Sequence, residues 1–164
     1  MTSRLLVVTS ASIILVAASL AAQTKSKTTT VAPKIFAQEL VTQFTSQHND
    51  DLEALELAIG TGRSCRTVAA THIEDIGEKC DKDEMTAMRK NEPFVEAPTK
   101  DDPVYDITQP LHDSAGTLIG AVGMDLKPRK GRHRAAILAR ARDLLRELER
   151  QIPSAERLME PTAR

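Results

Sequence analysis

Residues 104–126 read VYDITQPLHDSAGTLIGAVGMDL, and the fold turns on them. In the first run Tyr105, Ile107 and Leu111 fall on one face, with Asp106 and Thr108 on the other. That two-residue period is the mark of a half-buried strand. HDSAG at 112–116 is a turn cluster, rich in residues that tolerate tight backbone reversal. Residues 117–126 return as a partner strand, so the stretch predicts a β-hairpin. Gly120 and Gly123 lie inside the second arm; an isolated strand glycine marks a bulge or a close approach to the backbone.

Upstream, residues 98–103 form a charged loop and Phe94-Val95 begins a short strand. Asp81, with Glu84 three residues later, opens a helix over 82–90 in the manner of a capping box. That helix ends before Asn91 and Pro93. CRTVAATH at 65–72 reads as a strand, with residues 73–77 turning away from it. Further back, Phe36, Leu40, Val41, Phe44, Leu52, Leu55 and Ile59 recur at helical spacing, which predicts one long helix over 34–59. Pro33 suits its first turn, and Gly60-Thr61-Gly62 is its stop.

Downstream of the hairpin, KPRKGRHR at 127–134 is a basic hinge. Residues 135–152 follow as an amphipathic helix with a seam of Leu138, Ala141, Leu145, Leu148 and Ile152, coiled-coil-like but short. Pro153 ends it. Such a helix packs on its own domain by default; a homodimer or partner contact through it, or through the first helix, is the sharper alternative.

The N-terminus reads as an address. Met1-Thr2-Ser3-Arg4 supplies a positive start, residues 5–20 are largely apolar, and Ala21-Ala22 are small. This is the pattern of a secretory signal peptide over 1–22, and an uncleaved anchor is the alternative. Either way the working domain lies outside the cytoplasm, periplasmic or secreted, after a flexible leader over 23–33. In an oxidising compartment Cys65 and Cys80 read as a disulfide, which restricts the unfolded chain by about 3 kcal/mol. A Cys-His-Cys metal site through His72 is the other use of the pair, at a spacing that matches no standard finger.

Across 164 residues the net charge is −1, but the balance is uneven. Residues 35–126 carry 7 Lys/Arg against 18 Asp/Glu, whereas 127–164 carry 11 against 5. An acidic body bears a basic tail. With no Trp, one Tyr and three Phe, the composition argues against a base-stacking nucleic-acid platform. Outside the cell the basic hinge is expected to be a solvated charge run, or to contact the acidic body, a partner or anionic envelope surfaces, with no nucleic acid. Two cysteines exclude a four-Cys zinc site or a Cys-ligated iron–sulfur cluster. No Ser-His-Asp arrangement, nucleophile elbow, HExxH motif or phosphate loop is present, so neither catalysis nor a cofactor is expected.

PLHDSAGTLIGAVGMD at 110–125, preceded by AATHIEDIG at 69–77, resembles the extracytoplasmic Cache family of PAS-like bacterial sensor domains. The likeness runs over 34–127, leaving 128–164 as hinge and C-terminal helix. It implies an α+β fold: a PAS-like curved antiparallel sheet packed on a long N-terminal helix, with the C-terminal amphipathic helix appended. It also implies a small ligand held between the sheet and a cover, here residues 73–102. Asp125 matches the Asp that holds a ligand's amino group in amino-acid-binding members, by charge-assisted hydrogen bonds; in water it would only end the strand. The family's Arg-x-Trp-Tyr stretch is missing, so an amino-acid ligand does not follow.

Two further residues have double readings. Tyr105 offers a ring and hydroxyl to a ligand, or fills the core. Arg89 clamps a carboxylate with its planar fork, or complements a helix C-terminus. The resulting expectation is an exported, stand-alone domain that binds a polar metabolite non-covalently and relays occupancy to a membrane receptor or envelope partner. The alternative is an interaction module with a degenerate pocket. The family's usual membrane span and signalling output do not follow the sensor.

Overall fold

A computed structural model describes residues 32–129, 131 and 133–162. The expected signal segment 1–22 and most of the leader 23–33 lie outside these residues, as do Lys130 and Arg132. In chain order the elements are α1 (Phe36–Gln47), β1 (Leu52–Ile59), β2 (Arg66–Ala70), α2 (Lys82–Lys90), β3 (Phe94–Glu96), β4 (Tyr105–His112), β5 (Leu118–Leu126), α3 (Arg134–Glu149) and α4 (Ala155–Leu158). The strands form one sheet in the order β2-β1-β5-β4-β3. Every neighbouring pair is antiparallel.

The expected hairpin is the β4–β5 pair, and its alternation fixes the two faces of the sheet. Ile107 and Leu111 of β4 and Val122 and Met124 of β5 turn to one side. There they join Val41 and Phe44 of α1 and Ile137, Leu144 and Leu148 of α3 in the main core. Two buried glutamines pin these helices. Gln38 of α1 donates to the Ala70 carbonyl at 3.0 Å and accepts from the Ala70 amide at 3.1 Å. Gln109 of β4 donates to the Ala141 carbonyl of α3 at 3.4 Å.

The helix expected over 34–59 is two elements. α1 stops at Gln47, a turn follows, and Leu52–Ile59 is the strand β1, paired on both edges. A bulge explains the misleading spacing. The β1–β5 register shifts between Leu52 and Ala54, and the extra residue puts Leu52 on the same face as Leu55 although they are three apart. Leu55 and Leu57 then alternate normally into the core, with Ile59 packed against it. Pairing with two neighbours overrides the helix preference of Leu, Ala and Glu.

A second adjustment concerns α3. Its buried line is Ile137, Ala141, Leu144 and Leu148, continued by Ile152. Ala141, Leu148 and Ile152 are therefore as expected, while Ile137 and Leu144 replace Leu138 and Leu145, which are partly buried at the edge of the same contact. The helix faces β4 and β5 of its own domain. The basic hinge also folds back on the body. Lys127 donates to the Asn49 carbonyl at 2.9 Å, and Arg129 and Arg140 each pair with Asp51 at 2.9 Å. Arg129 of the hinge and Arg140 of α3, paired with Asp51, thus fix the α1–β1 turn together with the Lys127 hydrogen bond.

The interior glycines differ. A Cβ at Gly120 would lie 1.9 Å from the Ala58 carbonyl oxygen, so the expected close approach is that of the neighbouring strand. At Gly123 a Cβ would meet only the Glu56 Cβ, at 3.7 Å, an ordinary contact. Packing does not require that glycine.

Candidate functional site

On the face away from the main core, α2 and the connection leading to it from β2 cover the sheet. One end is closed by a small apolar cluster of Ala58, Cys65, Met88 and Ala121, with Cys80 and Met85 against it. The other end holds a cavity of about 300 Å³.

The floor of the cavity follows from strand register. Glu96, Asp106, Asp125 and Ala54 lie in one row across β3, β4, β5 and β1, and Phe94, Thr108, Gly123 and Glu56 in the next. Directly paired residues share a face. Asp106, Thr108, Gly123, Asp125, Ala54 and Glu56 all line the cavity, with Thr67 and Ala70 of β2.

The roof is the segment from His72 to Glu84, which contributes His72, Asp75, Glu78, Lys79, Asp81 and Glu84. It is held at several points. Cys65 and Cys80 form a disulfide with their Cα atoms 5.3 Å apart. The Cys80 amide donates to the Cys65 carbonyl at 3.2 Å, the Thr67 amide to the Glu78 carbonyl at 3.0 Å and the Gly77 amide to the Thr67 carbonyl at 2.9 Å. At the start of α2 the Asp81 carboxylate accepts from the Asp83 and Glu84 amides, while Glu84 accepts from the Asp81 amide at 2.8 Å. The expected capping box is complete.

Seven carboxylates therefore line a space whose cationic groups are Lys79 and, when protonated, His72. Some are engaged: Glu56 accepts from the Thr67 hydroxyl, and Asp81 and Glu84 serve the cap. The carboxylates of Asp106 and Asp125, like those of Asp75 and Glu78, make no hydrogen bond or ion pair with a described residue, and Asp106 and Asp125 stand directly opposite each other. Burial pushes the carboxyls of Glu56, Glu84 and Asp106 above their usual range. Asp125 is pushed up to about 6 by burial first, then by the charges of Asp106 and Asp102, with His72 opposing.

Of the residues singled out from the sequence, Asp125 is at the cavity. Tyr105 is on the other face, packed against the main core, because it shares the parity of Ile107 and Leu111. Arg89 is exposed on the last turn of α2, donating to the Thr86 hydroxyl at 3.3 Å. Neither lines the cavity, so a ligand there meets neither the ring nor the guanidinium expected of them. The cover is narrower than residues 73–102: its cavity-lining part ends at Glu84. With both thiols in the disulfide, the Cys-His-Cys metal alternative loses its ligands. Among the described residues no group of three or more His, Cys, Asp or Glu is arranged to hold a metal ion.

Residues that sequence reasoning passed over include Glu56, hidden in the segment read as helix, and Asp106. For Asp106 the signal was present: alternation already placed it with Thr108 on the non-core side of β4.

No family model and no curated protein matches the chain. Solved structures do. The GAF domain of a two-component sensor histidine kinase from Bacillus halodurans is similar with a TM-score of 0.52 and 11% identity, over 72% of this chain and 94% of that one. A putative GAF sensor protein from Burkholderia vietnamiensis is similar at 0.47 and 19% identity, over 69% and 72% of the two chains. The sensor domain of E. coli DcuS is similar at 0.39 and 15% identity, over 66% and 71%. With the five-stranded antiparallel sheet and its flanking helices, the first of these likenesses gives the chain a PAS/GAF-like α+β fold.

Proposed function

We propose that this chain is an extracytoplasmic, Cache-type member of the PAS-like sensor folds that binds a small polar molecule non-covalently between its sheet and the roof over β1, β4 and β5. It acts as a sensor or accessory binding protein and passes occupancy to an envelope or membrane partner, without chemical turnover. The observation that carries the reading is the cavity itself. It lies where the sheet's second face is left uncovered by apolar packing, and its lining is mostly polar, including the facing carboxylates of Asp106 and Asp125, which make no hydrogen bond or ion pair with a described residue. The disulfide that ties the roof to β2 supports an oxidising compartment, in keeping with the exported N-terminal pattern.

Thermal unfolding across a panel of polar metabolites tests this. A true ligand at about 100 times its Kd contributes about 2.7 kcal/mol, roughly 5 to 10 °C in Tm for a chain of this size. No shift from any compound, on protein that still unfolds cooperatively, would contradict the proposal.

A further inference from the structure

The geometry points to the class of ligand: we infer that the cavity takes an organic dication without a carboxylate, an aliphatic diamine or short polyamine. This rests on the binding reading above and narrows it.

The first observation is the facing pair. Asp106 and Asp125 are directly opposed across β4 and β5, and like charges in that position destabilise a sheet. No described residue donates a hydrogen bond to either carboxylate or forms an ion pair with it; His72, when protonated, is the one group among them that opposes the repulsion at Asp125. An ammonium group between them removes the repulsion and supplies charge-assisted hydrogen bonds to both. The second observation is a separate anionic point on the same floor. Glu56, oriented by the Thr67 hydroxyl, lies on β1 diagonally from Asp125. Such diagonal neighbours are about 7–8 Å apart, the span of a chain of roughly four to five carbons between two nitrogens. Asp75, Glu78 and Glu84 from the roof add to the field around that second point.

The third observation is the room between the two points. Gly123 sits in the floor beside Asp125 and directly opposite Glu56, and packing would admit a Cβ there. Its missing side chain keeps the path from Asp125 to Glu56 open. The same surroundings reject other classes. No arginine lines the cavity, so a carboxylate would add to the charge on Asp106 and Asp125 with no planar fork to receive it. The residues are not arranged to hold a metal ion.

Calorimetric titration of the oxidised protein tests the assignment, using 1,4-diaminobutane, 1,5-diaminopentane and spermidine. Butylamine, 4-aminobutanoate, succinate and magnesium are the comparisons. A diamine or spermidine should bind at least about tenfold more tightly than butylamine, with no measurable binding of succinate or 4-aminobutanoate. Asp125→Asn should weaken the diamine at least about tenfold while still unfolding cooperatively, and Gly123→Val should abolish binding by filling the floor. Lys79→Ala should retain or tighten binding. Diamine affinity unchanged in Asp125→Asn would assign the binding to the acidic exterior and overturn the inference. If the amines fail and an anion or neutral metabolite binds in a manner abolished by Gly123→Val, the ligand class is wrong while the binding reading stands. If no compound of any class binds, both fall.

Discussion

The two faces of one sheet are built to opposite rules. On the first, Leu57, Ile107, Leu111, Val122 and Met124 meet α1 and α3 with their side chains fully buried. On the second, residues one step along the same strands are Glu56, Asp106, Thr108, Gly123 and Asp125, around a cavity. Burial stabilises the first face at about 25 cal/mol per Å² of apolar surface. The second face carries a cost, since facing carboxylates partly shielded from water raise the energy of the folded state. A domain tolerates that only if the first face, the disulfide and the cap more than offset it. The contrast locates stability on one side of the sheet and the proposed binding site on the other.

The contrast can be broken most sharply at the two glycines of β5. Gly120→Val should prevent folding or cost well over 3 kcal/mol, because its Cβ collides with the β1 backbone and neither strand can move aside. Gly123→Ala, three residues on, should change stability by less than about 0.5 kcal/mol. Urea unfolding of both variants checks this pair.

Leu144→Ala, fully buried in α3 against the first face, should cost about 2–5 kcal/mol in the same assay. The double replacement Cys65→Ala, Cys80→Ala should cost about 3 kcal/mol. It should also release the roof, read as faster amide exchange over residues 77–80.

The smallest effect has the opposite sign. Asp125→Asn should raise stability at pH 7 by on the order of 1 kcal/mol, discounted because the group is only partly shielded from water. The pH dependence follows from the raised carboxyl. Between pH 3.8, the ordinary value, and about pH 6 the folded protein holds a proton that the unfolded chain has released. Stability from this group therefore rises as pH falls through that window and is lost as pH climbs past about 6. The groups acting on Asp125 are Asp106, Asp102, Glu53 and His72. Unfolding curves of the native protein and Asp125→Asn from pH 4 to 7 should converge toward the acid end.

Much of this arrangement was legible in the sequence. The hairpin, the capped helix α2, the turn after β2 and the disulfide all follow from sequence signals: period-two alternation, Asp81 with Glu84, and an even pair of cysteines. What failed depended on long-range pairing. The bulge near Leu52 exists only because β5 lies alongside β1, and without it the spacing of Leu52, Leu55 and Ile59 imitates a helix. A polar run from Thr45 to Asp51 with no apolar residue was the available warning. The site suffered more than the fold, since its residues come from four strands and the roof. Asp125 was recognisable alone, but its opposition to Asp106 is a matter of register. Tyr105 shows the reverse: its parity with Ile107 and Leu111 had already turned it away from any ligand on the Asp106 side.

The central claim is that the second face gives up stability in order to bind a cation, and one experiment addresses it directly. Thermal unfolding of the native protein and the Asp106→Asn, Asp125→Asn double variant would be compared at pH 7.5, with and without 1,4-diaminobutane. The account requires the double variant to melt higher without the diamine and to gain nothing from it, while the native protein gains. A double variant that melts lower on its own, or one that responds to the diamine as the native protein does, would contradict it.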